Sequence, residues 1–164
     1  MSTSISKFDY QKTNMRTTII LAAAILIFSG CKKDKYTTEP QISYKSVNPN
    51  YLEAVTGAQI PDITIGITDA EGDLGRTLGD TSFVYLKNNL TGKSDSVAFP
   101  DLGLAAKSNF KGDVIVSIAK VLQCGTVPGG GIHIDTLYFD MYVKDFARNK
   151  SNVVTAGPVY FKCQ

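Results

Sequence analysis

From residue 60 onward the apolar positions of this chain alternate with polar ones. Ile63, Ile65 and Ile67 fall on one side, and Asp62, Thr64, Gly66 and Thr68 on the other. That period of two belongs to a strand with one buried face. Leu137, Phe139, Met141 and Val143 repeat the pattern inward, with Tyr138, Asp140, Tyr142 and Lys144 outward, and Val114, Val116 and Ile118 repeat it again. Followed along the chain, the pattern predicts seven strands, at residues 41–47, 60–68, 82–88, 94–99, 114–122, 136–144 and 153–161. Turn chemistry separates them: Asn48-Pro49-Asn50, residues 88–92, Pro100-Asp101-Leu102-Gly103, Pro128-Gly129-Gly130-Gly131 and the polar run 145–152. Ala156-Gly157-Pro158 interrupts the last strand and predicts an edge position or a bulge. No long helical periodicity follows Cys31, so the expected fold is all-β.

One apolar segment does not alternate. Residues 19–28 carry no polar face and run through Ser29-Gly30-Cys31 into Lys32-Lys33-Asp34-Lys35. The segment is shorter than the ~20 residues that span a bilayer and matches the length of a signal-peptide core. Phe28-Ser29-Gly30-Cys31 resembles the lipobox of bacterial lipoproteins, with Phe28 where leucine is usual. The resemblance implies cleavage before Cys31, acylation of its thiol (a palmitate anchor) and residence in the cell envelope, lipid-anchored in the outer membrane. The competing reading, a short buried helix with a core cysteine, sits badly with the abrupt switch to lysines. Met15-Arg16 makes a better positive start than the diluted residues 1–14, so translation is expected to begin at Met15. The expected domains are then a signal peptide at 1–30, an acylated tether at 31–40 reaching at most ~30 Å, and one β-sandwich at 41–164.

Composition sharpens this picture. The formal charge is +2, from 17 basic and 15 acidic side chains. Removing residues 1–30 takes away Lys7, Lys12, Arg16 and Asp9 and leaves 14 of each sign. The mature chain is balanced and has no basic stripe with interleaved aromatics, which argues against nucleic acid as a partner. The three cysteines are an odd number. Acylation of Cys31 leaves Cys124 and Cys163, which an exported chain can join as a disulfide.

Seven short strands at this spacing suggest an immunoglobulin-like sandwich. In that arrangement Cys124, ending the fifth strand, and Cys163, ending the seventh, share a pole. The opposite pole gathers two polar loops, Asp69-Ala70-Glu71-Gly72-Asp73-Leu74-Gly75 and Lys144-Asp145-Phe146-Ala147-Arg148-Asn149-Lys150-Ser151-Asn152. These resemble the Asp-x-x-Gly-Asp and Asp-x-Ala-Gly-Asn-x-Ser loops of immunoglobulin-like and fibronectin-III-like domains in bacterial surface proteins. Arg148 stands where that family usually has glycine. Asp69, Glu71, Asp73, Asp145 and Asn149 could offer Ca²⁺ the hard oxygens it requires. The alternative is that these side chains only cap backbone N–H groups in turns. An EF-hand does not fit, because Leu74 occupies the required glycine and strands flank the loop.

No residue pattern names a reaction. His133 is the sole histidine and lies beside three glycines. There is no Gly-x-Ser-x-Gly elbow, and three acids on one loop do not make a glycosidase pair. The chain is expected not to be an enzyme and to need no cofactor beyond a possible Ca²⁺. Its expected role is a structural or protein-binding module of the envelope. The alternative is a glycan-binding accessory of an outer-membrane uptake system, using Tyr138 and Tyr142 as a stacking platform.

Overall fold

The computed structural model describes residues 37–55, 57–102 and 108–164. The signal segment, Cys31 and the first part of the tether lie outside the described residues. The described chain forms eight strands: β1 (Gln41–Asn48), β2 (Tyr51–Glu53), β3 (Asp62–Asp69), β4 (Phe83–Asn88), β5 (Ser94–Ala98), β6 (Phe110–Ser117), β7 (His133–Lys144) and β8 (Val154–Cys163). They build two sheets, one ordered β1-β3-β6 and the other β2-β8-β7-β4-β5. Every pairing is antiparallel except β2 on β8.

The alternating residues do what their spacing demands. Ile63, Ile65 and Ile67 from β3, Val114 and Val116 from β6, and Leu137, Phe139, Met141 and Val143 from β7 join one buried cluster between the sheets. Direct pairing reinforces this: Ile63 lies opposite Val47 and Val116, and Ile65 opposite Tyr44 and Val114. Side chains opposite one another on adjacent strands pack as the unit of sheet stability.

Two departures from the expected strands have physical causes. Tyr51-Leu52-Glu53 is a strand that three residues of alternation are too short to announce; Leu52 is its buried member. The return strand expected at 94–99 is present, as residues 94–98 pair with β4 at the edge of the five-stranded sheet. The fifth strand ends at Ser117 rather than near residue 122, and begins earlier, where Lys111 and Phe110 pair with Thr68 and Asp69. Beyond Ser117 the apolar residues continue but their period changes. Ile118 and Val121 are both buried, and the N–H groups of Val121 and Leu122 donate to the Ile118 carbonyl at 3.0 and 2.9 Å. A spacing of three with such bonds is a turn, so Cys124 sits in a connection rather than at a strand end.

The expected interruption of the last strand is a bulge. Leu137 pairs with Val159 and Phe139 with Ala156, so Gly157 and Pro158 share the space opposite Tyr138. Gly157 has φ +126°, and a Cβ there would stand 2.8 Å from the Leu137 carbonyl oxygen. Only glycine fits that approach. β8 has β2 as a second neighbour only over residues 160–162, so Pro158 lies where no strand needs its missing N–H.

The two sheets are also tied by a side chain. Asn152 accepts from the Ile42 N–H at 2.8 Å and donates to the Ile42 carbonyl at 2.9 Å. Its amide thus serves β1 as a strand neighbour would. No helix among the described residues is long and apolar enough to cross a membrane.

Candidate functional site

One pole of the sandwich is built by the β3–β4 and β7–β8 loops. Asp69 closes β3 and turns its carboxylate back over its own loop, where Oδ2 accepts from the N–H groups of Gly72 (2.6 Å) and Asp73 (3.2 Å). The turn needs Gly72 at φ +70°. Asp73 then bridges the loops: its carbonyl accepts from the Phe146 N–H at 3.1 Å, and its Oδ2 from the Ala147 N–H at 3.3 Å. Across the gap Asp145 Oδ1 accepts from the Asn149 N–H at 2.7 Å. Buried hydroxyls fix both loops from below. Ser82 receives the Gly75 N–H and Ser151 the Val143 N–H.

Each of these three aspartates uses one oxygen on backbone N–H groups and leaves the other unused. Among the described residues Asp69 Oδ1, Asp73 Oδ1 and Asp145 Oδ2 are buried without a hydrogen-bond partner. Asp69 is 0% and Asp145 1% exposed. No Lys, Arg or His nitrogen comes within 4.0 Å of them among the described residues. Burial pushes the Asp69 carboxyl up to about 6, with the charges of Asp73 and Asp145 adding to the rise and the two N–H bonds opposing it. Burial also raises Asp145, again with help from Asp73. Of the other two expected cation ligands, Glu71 stands apart, while the Asn149 side chain lies beside the Asp145 carboxyl and, with its N–H, opposes the rise. Glu71 is exposed on the crown of its loop, and Asn149 contributes the N–H donor that holds Asp145.

These shifts give the metal-free protein a definite pH response. The folded state holds the Asp69 proton more tightly than an unfolded chain, whose carboxyl sits near 3.8. Folded protein therefore loses stability as pH rises from about 4 to about 6, on the order of 1–3 kcal/mol with the remainder screened by water. Urea melts in chelator at pH 4.5 and 7 should show the higher midpoint at pH 4.5 once Asp69→Asn, which removes the effect, is used as the baseline.

The left-handed turn of the β7–β8 loop forms without glycine. Arg148 takes φ +70°, and its N–H donates to the Asp145 carbonyl at 3.2 Å. A side-chain-bearing residue pays a steric penalty there. Arg148→Gly is expected to raise stability by about 0.5–1 kcal/mol, net of the entropy glycine brings to the unfolded chain. Equal denaturation midpoints for the two proteins would contradict this.

At the opposite pole Cys124 and Cys163 form a disulfide, with their Cα atoms 6.0 Å apart. Asp135 accepts from the Gly125 N–H at 2.7 Å beside it. Cys124, Asp135 and Cys163 form the trio of potential ligands whose atoms lie within 4.8 Å of one another among the described residues. Its sulfurs are committed to each other, so it offers no thiolate. The acid trio is wider than that limit. His133 lies 3.5 Å from Asp135 and shares a 2.9 Å hydrogen bond with the Gly131 carbonyl, which fastens it at the start of β7 opposite Cys163.

The outer face of the five-stranded sheet carries the two expected platform tyrosines, but they do not act as a pair. Tyr142 stacks on Tyr85, directly opposite on β4, with centroids 4.7 Å apart and planes 6° from parallel. The Lys150 ammonium stands 4.2 Å from the Tyr142 centroid, so both faces of that ring are covered. Tyr138 is the open ring, 42% exposed. Tyr85 carried no signal of this role in the sequence, because stacking partners are set by register between distant strands.

Comparison with known proteins adds no relative: the chain matches no family model, no curated protein and no solved structure. The reading of its role rests on its own residues.

Proposed function

We propose that the chain is a bacterial cell-envelope lipoprotein, acylated at Cys31, that presents one immunoglobulin-like sandwich as a non-catalytic structural or protein-binding module. Several features support the sandwich type. A three-stranded sheet of the first, third and sixth strands faces a sheet in which β7 lies between β8 and β4. With β5 on the outer edge of β4, this order supports a fibronectin-III-like reading of the sandwich.

The observation that carries the proposal is the Cys124–Cys163 disulfide. It belongs to an oxidising compartment, and it leaves Cys31 as the unpaired thiol at the position where a lipobox would deliver it for acylation. Thr37 accepts from the Ala70 N–H at 3.2 Å, and Gln41 pairs with Thr68, so the chain joins the sandwich at the acid pole. A lipid on Cys31 would be joined to the sandwich through the short polar segment that follows it.

Incorporation of labelled palmitate and sedimentation with membranes test the anchor. Both should be lost in Cys31→Ala; unchanged processing and membrane association would refute it. A pull-down from detergent-solubilised envelope then tests the partner. The glycan reading is reduced to Tyr138, since Tyr142 has no free ring face, and silence on a glycan array would remove it.

A further inference from the structure

We infer that the acid pole is a divalent-cation site, in which Asp69, Asp73 and Asp145 hold one Ca²⁺ between the β3–β4 and β7–β8 loops. The inference does not depend on the lipid anchor. Carboxylates in exposed turns are common, and hydrogen bonds to loop N–H groups would account for one oxygen of each aspartate. They do not account for the other three. Among the described residues Asp69 Oδ1, Asp73 Oδ1 and Asp145 Oδ2 are out of contact with solvent and without a hydrogen-bond partner, the Asn149 side chain lying beside the Asp145 carboxyl. Asp69 and Asp145 are themselves all but fully buried. A buried anionic oxygen without a donor or counter-charge is among the costliest arrangements a protein can keep. Three of them in two loops that hydrogen-bond to each other through Asp73 call for a shared positive partner.

The chemistry selects the ion. All candidate ligands are oxygen, and among the described residues the histidine and both disulfide cysteines lie at the other pole, which disfavours zinc and copper. The donors come from irregular loops that offer carboxylates, with carbonyls and water to complete a shell. That suits the flexible six- to eight-fold coordination of Ca²⁺ at about 2.3–2.6 Å better than the strict octahedron of Mg²⁺. The trio exceeds the 4.8 Å span reached by the tighter group at the other pole. A bound ion would therefore draw the two loops together, with the oxygens that accept from backbone N–H groups keeping those bonds.

The test uses the full-length protein in detergent, stripped with chelator and melted with 5 mM CaCl₂, 5 mM MgCl₂ or chelator alone at neutral pH. Ca²⁺ should raise the melting temperature by roughly 3–9 °C, the range for a site of the affinity usual in extracellular modules. Mg²⁺ should give less than half of that. Asp145→Asn keeps an oxygen for the Asn149 N–H and should fold, melt no lower than wild type in chelator, and lose the Ca²⁺ response. Asp73→Asn provides the same reading should Asp145→Asn fold poorly. Glu71→Gln, on the exposed crown, should respond as wild type does. Absence of a Ca²⁺ shift in the wild type, or an undiminished shift in Asp145→Asn and Asp73→Asn, would overturn the assignment, as would loss of the shift in Glu71→Gln.

Discussion

Replacing Cys124 and Cys163 together by alanine is expected to lower the stability of the sandwich by about 3–4 kcal/mol. The two residues are 39 apart in sequence, and a cross-link over a loop of that length removes roughly that much entropy from the unfolded chain. The native state should lose little else. Cys163 is buried at the end of β8 and alanine leaves a small gap, while Cys124 is only half-buried. For a domain of this size the change corresponds to a drop of about 10–15 °C in melting temperature. The comparison is a urea melt of the oxidised wild type against the double variant. Coincident midpoints would mean that native strain offsets the entropic gain. Hydrogen exchange should localise the effect, with faster exchange first in residues 118–132, which the disulfide fastens to β8.

How much of this was legible beforehand depends on where stabilising contacts come from. Strands β3, β6 and β7 could be read because each buries one face, and burial of one face writes a period of two into the sequence. β2 could not, since its three residues gain their place by pairing with Tyr160, Phe161 and Lys162, far along the chain. The end of β6 was misjudged for a related reason. Ile118 and Val121 are as apolar as strand residues, and only their spacing of three tells of the turn. The acid pole was visible as composition: five oxygen-bearing residues in two loops. Which of them meet was not visible. Asp69, Asp73 and Asp145 are held by backbone N–H donors whose positions depend on left-handed residues at Gly72 and Arg148. Glu71, one residue from such a turn, is carried outward by the same geometry.

The second large effect is expected at a residue that the sequence marks only as the start of a turn. Asn88 ends β4 and is 0% exposed. Its Nδ2 donates to the carbonyls of Val121 (3.2 Å) and Gln123 (3.4 Å), and its Oδ1 accepts from the N–H groups of Leu90 (2.9 Å) and Thr91 (3.2 Å). One amide thus satisfies four backbone groups, two in the β4–β5 turn and two in the irregular connection that follows β6. Asn88→Ala leaves all four without that partner. At about 1 kcal/mol for each hydrogen bond, and more for groups that stay buried, the loss should reach about 3 kcal/mol. Asn88→Asp separates the two halves of the role: it keeps an acceptor for the turn, loses the donor, and places an anion against two carbonyls. It should be no better than alanine. The decisive measurement is a cycle with the disulfide. Asn88 holds residues 121 and 123, and the disulfide holds residue 124, so both fasten the same segment. Once the disulfide is gone and that segment opens more readily, Asn88 has less ordered structure to hold. Asn88→Ala should then cost at least 0.5 kcal/mol less in the Cys124→Ala/Cys163→Ala background than in the wild type. Strict additivity would show that the turn after β4, rather than the long connection, is what Asn88 stabilises.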